Sequence, residues 1–84
     1  MILKITKQDI NGAMRGNALR CPIARAIERT IGGAPRVLPT YVQWQDAHGQ
    51  YQNARLSTRA CLAIERFDAR RGMKPFNIRL DLKA

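Results

Sequence analysis

Residues 37–56 read VLPTYVQWQDAHGQYQNARL, and this stretch decides the fold. Asp46-Ala47-His48-Gly49 is a short polar loop with the glycine that a reversing chain needs. Ahead of it, Val37 to Gln45 is rich in β-branched and aromatic residues and reads as a strand. Alternation puts Leu38, Val42 and Trp44 on one face of that strand, and Val37 and Tyr41 on the other. Pro39 cannot donate to a ladder, so the strand belongs at a sheet edge. Behind the loop, Gln50 to Leu56 is the returning strand, with a thinner apolar pattern.

A helix lies on each side of this hairpin. Residues 21–31, CPIARAIERTI, place Ile23, Ala24, Ala26, Ile27 and Ile31 on one arc and Arg25, Glu28 and Arg29 on the other. Pro22 suits the first helical position, where its missing N–H is not needed. Gly32-Gly33 ends this helix, and Pro35 prevents its return. On the far side, Ser57 or Thr58 caps a helix running to Arg71 and stopped by Gly72. Its core face is Ala60, Ile64 and Phe67, flanked by Cys61.

Strands open and close the chain. Ile2 to Lys7 has Leu3 and Ile5 inward, with Lys4 and Thr6 outward. Thr6 with Asp9 fits a capping box, so residues 7–11 form a short helical turn. Gly12, Gly16 and Asn17 break the chain after that turn. From Phe76 to Leu82, Phe76, Ile78, Leu80 and Leu82 alternate with Asn77, Arg79 and Asp81. The order β-α-β-β-α-β specifies one α+β domain of ferredoxin-like, split-βαβ form. Two helices would then cover one face of a four-stranded antiparallel sheet.

A chain of 84 residues makes a single domain with a thin core, and not a ligand cavity of ordinary size. Its net charge is +9, from 15 basic and 6 acidic residues. Eleven of the basic residues are arginine, whose planar fork grips phosphates and carboxylates and stacks on rings. That balance points to polyanionic or acidic partners. Two cysteines are too few for a secreted disulfide framework and read as reduced thiols. MILKITKQ lacks a signal-peptide core, and no apolar run is long enough to span a bilayer. A soluble, cytoplasmic protein with no membrane partner is expected.

Two stretches, DINGAMRGNALRCPIARAI from Asp9 to Ile27 and IERFDARRGMKPFNIRL from Ile64 to Leu80, have a further meaning together. They resemble a set of small uncharacterised bacteriophage and prophage proteins. Those proteins share a short opening strand, a CP(I/V)A helix start, and a late FD followed by PF and a closing strand. The likeness covers about half the chain. It implies a phage or prophage origin and a bacterial host cell. It implies no activity, and the central hairpin lies outside it.

Catalytic chemistry finds little support. Cys21 stands at a helix N-terminus beside Arg20 and Arg25, a setting that lowers a thiol pKa. Its only candidate base, His48, lies in a distant loop, and nucleophilic catalysis needs a base within hydrogen-bond reach. The acids form no close pair and read as partners of arginines: Glu28 beside Arg25 and Arg29, and Glu65 and Asp68 among Arg66, Arg70 and Arg71. Asp68 has a second expected place, docked near the turn at Gly72. No catalytic residue, metal site, cofactor or phosphate-binding loop is assigned, and the protein is expected not to be an enzyme.

Two basic surfaces remain. Alternation gathers Lys4, Tyr41, Tyr51, Arg55 and Arg79 on the sheet face away from the helices, with Gln43, Asn53 and Asn77. Single-stranded nucleic acid binds such faces by stacking bases on rings and neutralising phosphates. On the second helix, Arg59, Arg66 and Arg70 fall in one stripe with Leu62 and Ala69 beside it. Three functions are expected in turn. The chain binds nucleic acid or a nucleoprotein complex; or it inhibits or modulates a host protein with an acidic surface, a defence protein among the options; or it assembles as a homo-oligomer through the open sheet face.

Overall fold

The computed structural model describes residues 2–82; Met1, Lys83 and Ala84 lie outside the described residues. The domain is α+β, and the described strands all pair antiparallel. The opening strand β1 is Ile2–Ile5, with Leu3 and Ile5 buried and Ile2 and Lys4 exposed. Thr6 then caps the short helix α1, Lys7–Asn11, through the capping box with Asp9 that the sequence predicts.

Helix α2 spans Pro22–Thr30, with Cys21 as its N-cap and Pro22 in the first turn. Pro22, Ile23, Ala24, Ala26 and Ile27 are buried, and the helix packs on β1. Gly32 and Gly33 follow with φ of 84° and 81°, a left-handed path that releases the chain from the helix. Helix α3 spans Thr58–Asp68, capped by Ser57, whose hydroxyl accepts the Ala60 N–H at 3.2 Å. Ala60 and Phe67 are buried, and Ile64 and Cys61 pack against the central core. The predicted helix runs on to Arg71, but α3 stops at Asp68 because Ala69 caps it and Arg70 turns left-handed at φ 63°.

The predicted strand Val37–Gln45 is two strands. β2 is Arg36–Val37 and β3 is Tyr41–Gln45, and they pair antiparallel through a turn containing Pro39. The Leu38 N–H donates to the Tyr41 carbonyl at 2.8 Å and closes it. Pro39 is therefore a turn residue and not an edge-strand residue. β4 is Tyr51–Arg55, and it pairs with β3 across the expected Asp46–Gly49 loop. Asp46 holds that loop: Oδ1 accepts the N–H groups of His48 and Gln50 at 2.9 and 3.0 Å, and Oδ2 accepts Gln52 Nε2 at 2.9 Å.

The closing segment is divided into β5, Phe76–Arg79, and β6, Asp81–Leu82, around the buried Leu80. β5 pairs with β1 in a two-stranded sheet, and β6 joins β2, β3 and β4 in a four-stranded one. These pairings correct the split-βαβ expectation. In that form the first strand is inserted between others and runs parallel to the strand after the first helix. Here the closing segment takes the inner place, between β1 and β4, and both of its pairings are antiparallel. The physical reason is apolar length. In the sequence β1 has two alternating apolar residues on its inward row, Leu3 and Ile5, whereas the closing segment has four, Phe76, Ile78, Leu80 and Leu82. The longer apolar row gains most from neighbours on both sides.

The core joins the inward residues of both sheets to α2 and α3: Leu3, Ile5, Val42, Trp44, Ala54 and Ile78 meet Ile23, Ile27 and Ala60. The inward rows of both sheets thus meet α2 and α3, and each sheet keeps an outward row.

Candidate nucleic-acid interface

The outward rows are built by register. In an antiparallel ladder, directly opposed residues share a face. Lys4 stands opposite Asn77, and Ile2 opposite Arg79. Tyr41 stands opposite Arg55, Gln43 opposite Asn53, and Gln45 opposite Tyr51. All belong to the outward set, because their chain neighbours Leu3, Val42, Trp44, Ala54 and Ile78 are buried. The five predicted sheet residues thus fall in the outward rows of two sheets: Lys4 and Arg79 on the β1–β5 pair, and Tyr41, Tyr51 and Arg55 on the four-stranded sheet.

Tyr51 is 65% exposed, and Tyr41 is half-buried. They sit at opposite ends of the β3–β4 ladder, four residue steps apart, or about 13 Å at strand rise. Gln43 and Asn53 lie between them and offer amides for hydrogen bonds. On β6 the backbone of Asp81 stands in register with Arg55.

Arg36 belongs to this face too, opposite Gln43, and the sequence pattern does not place it there. Alternation carried unbroken from Val37 to Tyr41 puts both of those residues outward. The turn at Pro39 reverses the chain between them, so Val37 pairs with Val42 and turns inward while Arg36 turns outward. Pro39 is the signal in the sequence that marks the break.

The helical stripe is corrected in one member. Arg59 and Arg66 lie on α3 with Leu62 between them, as predicted. Arg70 lies beyond the helix end, in the left-handed conformation. Arg71 instead joins Arg59 and Arg66 along a groove, with Lys74.

Three other arginines serve the fold. Arg25 Nη1 donates to the Gln8 and Asp9 carbonyls at 3.0 and 3.1 Å, closing the end of α1. Arg29 binds Asp9. Arg15 lies over the Phe67 ring, 5.2 Å from its centre. The expected pairing of Glu28 with Arg25 and Arg29 thus gives way to longer-range contacts. Asp68 likewise leaves the arginines and Gly72 and accepts the Gly16 N–H at 2.8 Å, pinning the loop before α2.

The two cysteines, far apart in sequence, line one open cleft with Leu38 and Ile64. Its volume is about 390 Å³, and it is open to the surface and not an enclosed cavity. Cys21 is buried, and burial pushes its thiol above the ordinary value, against the expected lowering at a helix N-terminus. The Cys61 thiol donates to the Pro39 carbonyl at 3.2 Å. His48 is exposed in the hairpin loop. Among the described residues, no three His, Cys, Asp or Glu side chains gather as metal ligands, and no helix is long and apolar enough to cross a membrane.

The chain matches no protein-family model, no curated protein and no solved structure.

Proposed function

We propose that this domain is a non-enzymatic accessory protein of bacteriophage type that binds single-stranded nucleic acid on its open sheet face, in the cytoplasm of a bacterial host. The observation that supports this reading is the shared outward row of the four-stranded sheet, where an exposed Tyr51 and a half-buried Tyr41 stand with Arg36 and Arg55, while Lys4 and Arg79 lie in the outward row of the β1–β5 pair. Rings give sequence-tolerant stacking, and cations neutralise phosphates. Duplex DNA fits less well, because its bases are already stacked and the face offers no projecting helix for a groove.

Fluorescence anisotropy tests the reading, with labelled single-stranded and duplex oligonucleotides of the same sequence. Single strands are expected to bind more tightly, and affinity should fall steeply with salt. Absence of binding at low salt, or equal binding after Tyr41 and Tyr51 are both replaced by alanine, would overturn it. Light scattering on the same samples separates nucleic-acid binding from self-association through this face.

A further inference from the structure

A groove runs between α3 and the connection leading into β5. One wall carries Arg59, Leu62 and Arg66, which fall on one stripe of the helix. The other carries Arg71, Lys74 and Phe76. The Arg71 N–H donates to the Arg66 carbonyl at 2.8 Å, and Gly72 follows with φ 78°, so the chain folds back alongside the helix. The Arg59 guanidinium lies 5.6 Å from the centre of the Phe76 ring and bridges the two walls.

Among the described residues, the lining holds four cations and no acidic side chain. Between the cations the surface is apolar. Leu62 is 52% exposed in mid-helix, and Ala63, Met73 and Pro75 complete the floor. Leu62 does not stand alone, since Ala63, Met73, Pro75 and Phe76 line the same groove, and apolar surface gathered in one place marks an interaction site. A nucleic acid would use the charge but not the floor: Phe76 is half-buried with Arg59 over its ring, and the remaining surface is aliphatic. An aliphatic floor takes an apolar side chain, and guanidinium groups at its edges take carboxylates.

We infer that this groove docks an acidic segment of a partner protein, anchored by an apolar side chain over Leu62 and held by carboxylates at Arg59, Arg66, Arg71 and Lys74. The site shares no residue with the outward rows of the sheets and stands independently of the nucleic-acid reading.

The test is selection of a random library of displayed peptides, about 12 residues long, on the immobilised full-length protein, a length that spans a helix or strand in such a groove. The enriched peptides should be acidic and carry an apolar anchor. Their affinity, read by anisotropy, should fall about tenfold in Arg66→Glu and about fivefold in Leu62→Ser, and excess oligothymidylate should not displace them. Both positions are exposed, circular dichroism checks that the variants fold, and Arg66→Gln serves as a milder second variant. The inference is overturned if no acidic peptide is enriched, or if binding is unchanged in these variants. It is equally overturned if oligothymidylate displaces the peptides and itself binds more weakly to Leu62→Ser, which would assign the groove to nucleic acid.

Discussion

Arg29 holds Asp9 through two nitrogens, with Nε 3.1 Å from Oδ1 and Nη2 3.0 Å from Oδ2. The same Nη2 donates to the Lys4 carbonyl at 2.9 Å. Oδ2 also accepts the Thr6 N–H and hydroxyl, each at 2.9 Å. One buried acid thus ties α1 to α2 and to the end of β1. Lys4, in the outward row of β1, is positioned partly by this contact.

Replacing Asp9 by Asn should therefore destabilise the domain and remove part of its acid sensitivity. Charged hydrogen bonds contribute about 1.5–3 kcal/mol. In a domain of this size the loss lowers Tm by roughly 10 °C. Burial alone would raise the Asp9 pKa, but the hydrogen bonds from Arg29 and Thr6 outweigh it and hold the carboxyl below its ordinary value. A depressed folded-state pKa stabilises fully above the unfolded value of about 3.9 and loses that contribution as pH falls through the folded one. Thermal melts from neutral pH down to about pH 3 should show this acid loss in the native protein and a flatter profile in Asp9→Asn.

Gly33 should tolerate no side chain. Its φ is 81°, its carbonyl accepts the Gln45 N–H at 2.8 Å, and a Cβ there would overlap the Gln45 carbonyl oxygen. Gly49 has a similar φ of 78° but open space around it. Denaturant melts should show Gly33→Ala losing clearly more than about 1 kcal/mol, with Gly49→Ala closer to that value. Equal losses would mean that backbone strain alone, and not the approach of β3, fixes Gly33.

Much of the fold is legible in the sequence because its signals are local. The Thr6–Asp9 capping box, Pro22 at the start of α2, the Gly32-Gly33 stop and the Asp46–Gly49 loop each act within a few residues. Strand order is not local. It depends on which apolar row gains most from two neighbours, and the closing segment outcompetes β1 for the inner place. The candidate site divides in the same way. Alternation puts Lys4, Tyr41, Tyr51, Arg55 and Arg79 in outward positions, as the register has them, since each strand keeps its own parity. Arg36 is lost at the Pro39 turn, and Arg70 is misplaced because the sequence does not show that α3 ends at Asp68. Arg25 and Arg29 read in the sequence as partners of the neighbouring Glu28, because their actual partners lie 16 to 25 residues away in the chain.

The cysteines should differ sharply in reactivity. Cys21 is 3% exposed, its Sγ accepts the Ala24 N–H, and burial raises its pKa. Cys61 is only half-buried, in the first turns of α3. Titration with a disulfide reagent at neutral pH should show one fast thiol in the folded protein and both after denaturation. Cys61→Ser should abolish the fast phase. A fast phase that survives would place Cys21 within reach of solvent and reopen its chemistry.

Tyr51 and Arg55 share the outward face of β4, at its two ends, yet they should fail differently when replaced. Stacking on an exposed ring contributes about 1–3 kcal/mol per base and involves no counterion. Tyr51→Ala should therefore weaken binding of an oligothymidylate by roughly tenfold or more at every salt concentration, leaving the salt dependence unchanged. A cation on a phosphate displaces a condensed counterion, so Arg55→Ala should reduce the slope of log affinity against log salt by about 0.7 on a single strand. At high salt the two variants should then separate, with Arg55→Ala near the native protein and Tyr51→Ala still below it. Parallel salt plots for all three proteins would show that Arg55 meets no phosphate. A changed slope in Tyr51→Ala would show that the ring positions the chain on the cations and is not itself a stacking platform.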